Sequence, residues 1–405
     1  LVAASGEYGL ITDCSSAVEV VTGDEYEGAA GGLVGVNWGV ITNSFSAGDV
    51  SSAGTYARVG GLVGYNTSYL EGITTPNVIN CYATGNVSAT GESSHAGGFL
   101  GLNQGYTLAC FATGNVAQSG EYGSAGGFAG RTGKGESDGS YYGIAVECYA
   151  VGDVSVAGAD SYAGGFAGIA GYTVDNCYSL GDVIASTGIS GLTAGGFVGS
   201  NAYGEISGCF TAGSVNVEIP VEASLGAFAG YCSYDSYEYD ETTYEYGLLD
   251  NCYYDQSKAA QGQEAVGYEN SGEQSANITA LATAAMTGAA ASDNMSGLLA
   301  ATRDDDSAVW ATTAGFYPHL TAVPITVSFE ANGGSAVASV ELNPYTFAPA
   351  APAAPTKSGN TFAGWHTDAS LTSPVYAFGE ALTGDMTLYA AWTANNGGGS
   401  GGDNS

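Results

Sequence analysis

A Gly-Gly-Leu/Phe-x-Gly string recurs along the first half of the chain. It reads GGLVGVN at 31–37, GGLVGYN at 60–66, GGFLGLN at 97–103, GGFAGRT at 126–132, GGFAGIA at 164–170 and GGFVGSN at 195–201, with a degenerate GAFAGYC at 226–232. Successive strings begin 29 to 38 residues apart, so the unit is about 30 residues with insertions in two intervals. Each glycine inside a helix costs up to about 1 kcal/mol, and the repeat shows no apolar period of 3.6. Short strands broken by Gly, Asn and Asp turns are what remains. At about 3.3 Å per residue, thirty residues make three short strands plus corners, which is one coil of a β-solenoid. Seven to eight coils stacked about 4.8 Å apart place equivalent residues of every repeat in columns.

Charge narrows the function. Forty Asp and Glu stand against six Lys and Arg in 405 residues, a formal net charge of −34. Such a surface repels nucleic acid, anionic lipid and other polyanions. Because 45% of residues are hydrophobic, there is enough apolar area for a folded core, and disorder is disfavoured. No apolar run reaches the roughly 20 residues of a membrane span. The chain opens inside a repeat and ends in a Gly/Ser-rich flexible linker at 395–405, which reads as a segment of a longer processed protein.

Each repeat closes on a small residue, an aromatic and a Gly-Asp/Asn-Val turn, as in NCYATGNV at 80–87 and NCYSLGDV at 176–183. One column therefore holds Cys14, Cys81, Cys110, Cys148, Cys177, Cys209 and Cys252, interrupted by Ser44; the next holds Phe45, Tyr82, Phe111, Tyr149, Tyr178, Phe210 and Tyr253. Three readings of the cysteines stand: small buried hydrophobes, disulfides between coils, or a metal-thiolate column. Neighbouring residues of a strand face opposite ways, so the cysteines and the rings cannot both be inside. An outward ring column would be a binding stripe.

The Gly-Asp/Asn-Val corner builds a third column of Asp49, Asn86, Asn115, Asp153, Asp182 and Ser214, read as a ladder of left-handed turns. Asp153 and Asp182, in adjacent coils, are the candidate calcium ligands, and calcium is the one cofactor the sequence leaves room for. The segment YCSYDSYEYDETTYEYG at 231–247 gives the candidate ligand-binding residues Tyr234, Asp235, Tyr237, Glu238, Tyr239, Asp240, Glu241 and Tyr244. Carboxylates beside tyrosine faces suit a sugar ring or a calcium-bridged ligand, and a solvated acidic hairpin is the plainer reading. The cations lie far apart in sequence, with only Arg131 and Lys134 close together, which argues against an enzyme acting on acidic polysaccharide. No nucleophile elbow, phosphate loop or His-Glu-x-x-His string occurs.

The repeats at 6–255 resemble the GLUG motif, named for its Gly-Leu-x-Gly core. The resemblance implies a bacterial cell-surface or secreted protein, adhesin-like, in which the repeats form a non-catalytic rod. Some proteins with such repeats are immunoglobulin-cleaving metallopeptidases, but their zinc-binding string is missing here and only His95, His319 and His366 are present. Residues 256–322 leave the pattern; they are Ala-rich with apolar spacing for short helices, and are expected to cap the open end of the solenoid. There VWATTAGFYPHL (309–320) resembles the closing strand that follows GLUG repeats. Residues 323–394 carry Asn-Gly-Gly, Phe-x-Gly-Trp around Trp365 and Asp-Met-Thr-Leu-Tyr-Ala-x-Trp ending at Trp392. They resemble the Listeria-Bacteroides repeat, which implies a β-grasp-like extracellular spacer or weak protein-binding module.

The expectation is thus a mainly β chain: a parallel β-solenoid over 1–255, a cap over 256–322 and a β-grasp-like module over 323–394. Its role is adhesin-like, non-catalytic binding of a host or matrix glycan or protein, with attachment to the cell wall through flanking regions. A purely structural stalk, and a polysaccharide-degrading β-helix enzyme, are the alternatives.

Overall fold

The structure, a computed structural model, describes residues 1–68, 75–133, 142–186, 188–217, 222–239, 242–270, 274–344, 346, 351–378, 382 and 384–395. Side chains are described for these except at 235–239, 242–245, 275 and 276. Two compact units divide at Pro318 and His319.

The first unit is a parallel β-solenoid with five long all-parallel sheets of seven to nine strands. Each coil contributes five strands where three were expected. The coil around Cys110 shows them in turn: His95–Gly97, Leu100–Gln104, Tyr106–Leu108, Phe111–Ala112 and Val116–Gln118. The strands are two to five residues long because the glycine and Asx corners come more often than an even division of thirty residues allows. Register follows the sequence repeat, as in Arg58↔His95↔Ser124 and Val63↔Leu100↔Ala129.

The Gly-Gly pair is required by close approach. A Cβ on Gly60 would lie 2.0 Å from the carbonyl oxygen of Val63, and one on Gly61 2.0 Å from the carbonyl oxygen of Gly98 in the next coil. The third glycine is needed as well, since a Cβ on Gly64 would sit 2.7 Å from the Ala30 backbone nitrogen. The repeat string therefore folds two strands tightly against each other. The Leu/Phe between them points inward and builds a stack of Phe99, Phe128, Phe166, Phe197 and Phe228, with ring centroids 4.9 to 5.0 Å apart. Such pairs add about 0.5–1.5 kcal/mol each beyond the area they bury. A ladder of buried amides runs beside it, with Asn37 donating to Asn66 and Asn66 to Asn103, both at 2.9 Å.

The cysteine column is inside. Each thiol donates to the carbonyl two residues earlier, as Cys81 to Ile79 at 3.1 Å and Cys209 to Ser207 at 3.1 Å. Sulfurs along the column also accept an amide from the preceding coil: Cys81 N–H donates to Cys110 Sγ, Cys148 N–H to Cys177 Sγ and Cys177 N–H to Cys209 Sγ, at 3.3 to 3.4 Å. Ser44 fills the gap in kind, since its hydroxyl accepts the Cys14 amide and donates to Thr42 O. The position thus selects a small side chain that both donates and accepts. All eight cysteines are free, Cys14 exposed and the others buried.

The ring column faces outward. Phe45, Tyr82, Phe111, Tyr149, Tyr178 and Phe210 stack with centroids 4.7 to 5.0 Å apart and planes within 6°. Phe45 and Tyr82 are partly exposed, whereas Tyr149 and Tyr178 are fully buried. Their cover is the segment after the repeats. Val266–Glu269 and Ile278–Leu281 extend two of the sheets beyond residue 255. The chain then forms short helices Gly288–Asn294 and Ser296–Leu299 and runs back along the ring column. Trp310 packs on Tyr178 and Phe210 and donates its Nε1–H to Asn176 Oδ1 at 3.0 Å; Tyr317 packs on Phe210 and bonds Asp255. Arg303 makes a two-armed ion pair with the buried Glu147. The segment expected only to close the end of the solenoid is also a strap over its flank.

The corner column differs from expectation too. Asp49, Asn86, Asn115, Asp153 and Asp182 are not among the residues with positive φ. A left-handed residue instead stands directly before each column cysteine or serine: Asp13, Asn43, Asn80, Ala109, Glu147, Asn176, Gly208 and Asn251, with φ between 48° and 56°. The corner carboxylates and amides instead accept the backbone amide one coil on, through the run Asp49–Asn86–Asn115–Asp153–Asp182–Ser214 at 2.7 to 3.0 Å.

The second unit holds a four-stranded mixed sheet in the order Val340–Leu342, Ile325–Glu330, Met386–Ala394, Asn360–His366. Its two central strands are parallel and the outer pairs antiparallel. Trp365 is buried against Phe329 and Phe362, and Trp392 donates its Nε1–H to Ala331 O at 3.0 Å.

Candidate functional site

On the outer side of the glycine corner, where its two flanking strands turn back on each other, lies a cleft of about 290 Å³. Four consecutive coils contribute to it. Arg58, His95 and Ser124 are in register on one strand column, and Tyr65, Leu102 and Arg131 on the neighbouring one. Gln104, Glu27 and Tyr56 complete the wall. Two of the chain's six cations therefore meet in one hollow of a molecule with net charge −34. The sequence had paired Arg131 with Lys134, which lies outside the described residues. Its spatial neighbours, Arg58 and His95, belong to earlier coils.

The polar groups are held in place. Arg58 donates Nη1–H to Glu27 O at 3.3 Å, and its guanidinium carbon stands 5.0 Å from the centre of the Tyr65 ring. That contact leaves its charge unneutralised by any carboxylate among the described residues. Tyr65 donates its hydroxyl to Gln104 Oε1, and Arg131 donates Nε–H to Gly133 O at 3.1 Å. His95 Nδ1 shares a 2.7 Å hydrogen bond with Ser124 Oγ. Burial first, then the charges of Arg131 and Arg58, lower the His95 pKa to about 3, so the imidazole is neutral. Tyr56, in a left-handed conformation at φ 56°, is 44% exposed at the rim and edge-packed on Tyr26. The hollow thus offers two guanidinium groups, a neutral imidazole, an amide and aromatic faces. Glu27 is the one carboxylate among its described lining residues.

The other candidates are placed as follows. Asp235–Tyr239 and Thr242–Tyr246 form an antiparallel hairpin with Tyr237 opposite Tyr244 and Glu238 opposite Thr243. Asp240 and Glu241 lie outside the described residues, as do the side chains of Asp235, Tyr237, Glu238, Tyr239 and Tyr244. Tyr234 is partly buried and its amide donates to Asn270 Oδ1 at 2.9 Å. In Asp153 and Asp182, one oxygen of each carboxylate is taken by the next coil: Asp182 N–H on Asp153, and Ser214 N–H and Oγ–H on Asp182. Among the described residues no three His, Cys, Asp or Glu converge as metal ligands.

Comparison with known proteins fits this architecture. The GLUG motif matches at residues 55–88 and 159–184, and the Listeria-Bacteroides repeat domain at 326–391. The chain thus carries GLUG repeats in its solenoid and a Listeria-Bacteroides repeat in its second unit. Two proteins of Evansella cellulosilytica, named "Putative Gly-rich membrane protein" and "Putative membrane protein", are 46% and 44% identical over 70 and 71 residues. These matches span 17% and 18% of this chain but only 8% and 10% of those proteins. A solved structure described as "a putative immunoglobulin A1 protease from Bacteroides ovatus" aligns over 78% of this chain and 76% of its own, at 19% identity and TM-score 0.41. No helix among the described residues is long and apolar enough to cross a membrane.

Proposed function

We propose that this chain is an extracellular, non-catalytic part of a bacterial surface protein, an adhesin-like solenoid that binds a host or matrix ligand on its flank. The observation that carries the reading is the cleft of Arg58, His95 and Arg131, which concentrates positive charge in one hollow of an otherwise acidic rod. The kinds of repeat it carries, and the membrane-protein names of its partial relatives, support a place at the cell surface. The acidic surface suits a partner that is neutral over most of its length. The test is a glycan and matrix-protein array probed with the full chain, with calcium and with chelator. Saturable binding lost in Arg58→Ala supports a cleft-borne adhesin. Loss in a Tyr237→Ala/Tyr239→Ala variant instead assigns binding to the hairpin, and dependence on calcium brings in Asp153 and Asp182. Silence throughout leaves a stalk.

A further inference from the structure

Resting on the reading of the cleft as a ligand site, we infer the chemical class of its ligand: a single acidic sugar ring, bound through its carboxylate by Arg58 and Arg131. The inference draws on charge, size and surface. Guanidinium groups are the side chains that grip a planar carboxylate or a phosphate with paired hydrogen bonds, and two of them, Arg58 and Arg131, line the same small hollow here. Among the described residues Arg58 is held by a carbonyl and a ring and by no carboxylate within ion-pair distance, so it brings its charge to a ligand without first breaking such a pair.

Size limits what can enter. At about 290 Å³ the cleft is at the small end of ligand pockets, which run from roughly 300 to 1,000 Å³, so it suits one ring and not a run of several. Beyond the cleft the net charge of −34 opposes any partner carrying many negative charges, because repulsion between exposed charges acts out to about 8 Å at physiological salt. A polysulfated or polyuronate chain, like a nucleic acid, would be repelled outside while attracted inside. A single carboxylate on an otherwise neutral glycan meets far less of that repulsion, and inside the cleft it faces two guanidinium groups against the one carboxylate of Glu27 among the described lining residues.

The walls separate a sugar from a bare anion. Tyr56 presents an exposed ring at the rim, and Gln104 and the Glu27 carboxylate lie on the wall, where they can meet hydroxyls. A bare anion has no use for these groups. Neutral His95, tied to Ser124, bounds the floor without adding a third charge that would favour a dianion.

The experiment is a ligand-observed NMR titration of the full chain with methyl glucuronide, methyl galacturonide, the matched neutral methyl glucoside and galactoside, acetate and inorganic phosphate. For about 14 non-hydrogen atoms at ordinary ligand efficiency, a dissociation constant on the order of 1 mM is expected for one of the two acidic glycosides. The neutral partner and acetate should bind at least tenfold more weakly. Arg58→Ala and Arg131→Ala should each weaken binding about tenfold or more, and Arg58→Lys should recover only part of it because a point charge replaces the fork. Thermal melts of the variants check that the solenoid is intact. Phosphate or acetate binding as tightly as the acidic sugars would overturn the sugar, and the neutral glycosides binding as tightly would overturn the carboxylate. If none of the six binds while array binding still depends on Arg58, the ligand class is wrong and the cleft reading stands. If none binds and array binding ignores Arg58, both fall.

Discussion

Replacing Trp310 with alanine should release the strap and leave the solenoid standing. Trp310 is 3% exposed, its ring 6.0 Å from that of Tyr178 and 5.7 Å from that of Phe210, and its indole N–H satisfies Asn176. Truncating a buried tryptophan costs about 3–5 kcal/mol. The loss falls on the strap, because the solenoid's own inter-coil ladder does not pass through Trp310. The local hairpin around residues 302–308, closed by Arg303 N–H on Ser307 O and Val309 N–H on Ala301 O, belongs to none of the long solenoid sheets, and a lone hairpin is marginal. At about 1.4 kcal/mol per factor of ten, the Arg303 and Val309 amides should exchange with deuterium faster by roughly 10² to 10³·⁵. Amides inside the solenoid, such as Phe128 N–H on Phe166 O, should keep their wild-type rates. Uncovering the ring column should also bring Tyr178, whose pKa burial raises well above 10, back toward the ordinary phenol range in an ultraviolet titration. Unchanged exchange at residues 301–311, or equal acceleration across the solenoid, would refute a strap that closes independently of the coils.

Three further outcomes follow from single positions. Ala109 holds the left-handed corner at φ 54°, where most other coils have Asn, Asp or Gly, so Ala109→Asn should stabilise by about 1 kcal/mol and raise the melting temperature by about 1–2 °C; a lower melting temperature would contradict the strain. His95 has a folded pKa of about 3 against 6.5 unfolded, so the unfolded chain takes up the proton first and the residue's contribution, whole above pH 6.5, is lost as pH falls toward 3. The melting temperature of His95→Gln should accordingly gain on wild type as pH drops from 7 to about 4, and a constant difference would contradict it. Seven of the eight cysteines are buried and out of a reagent's reach, so a thiol reagent should find close to one reactive cysteine, Cys14, in the native protein and all eight after denaturation without reductant. Fewer than eight in the denatured chain would mean disulfides.

Much of the solenoid is legible because its spatial period is its sequence period. Once the glycine strings are aligned, the cysteine, ring and Asx columns follow without any long-range inference. The same alignment holds the left-handed corner, since Asp13, Asn43, Asn80, Asn176, Gly208 and Asn251 each precede the column cysteine or serine; Ala109 and Glu147 blur that signal. The number of strands per coil is harder, because strands of two residues carry no alternation to read. The cleft is hidden for a different reason. Arg58 and Arg131 occupy non-equivalent positions of repeats two coils apart, and only the tight glycine corner brings their columns face to face. The strap is hidden because residues 282–317 do not repeat and their partners, Glu147, Asn176 and Tyr178, lie more than a hundred residues earlier. What could have flagged it is the ring column itself, since so many outward aromatics in line call for a cover.

The most direct measurement of ligand binding at the cleft is the ring spectrum of isotopically labelled histidine, because the chain has three histidines and one of them, His95, lines the hollow. Titration with whichever acidic glycoside binds should shift the His95 ring signals along a saturable curve, raise its pKa by bringing a negative charge beside it, and leave His319 and His366 still. The same addition to Arg58→Ala should move nothing. A His95 signal that stays fixed while the ligand binds, or that moves no more than those of His319 and His366, would place binding elsewhere and contradict the cleft.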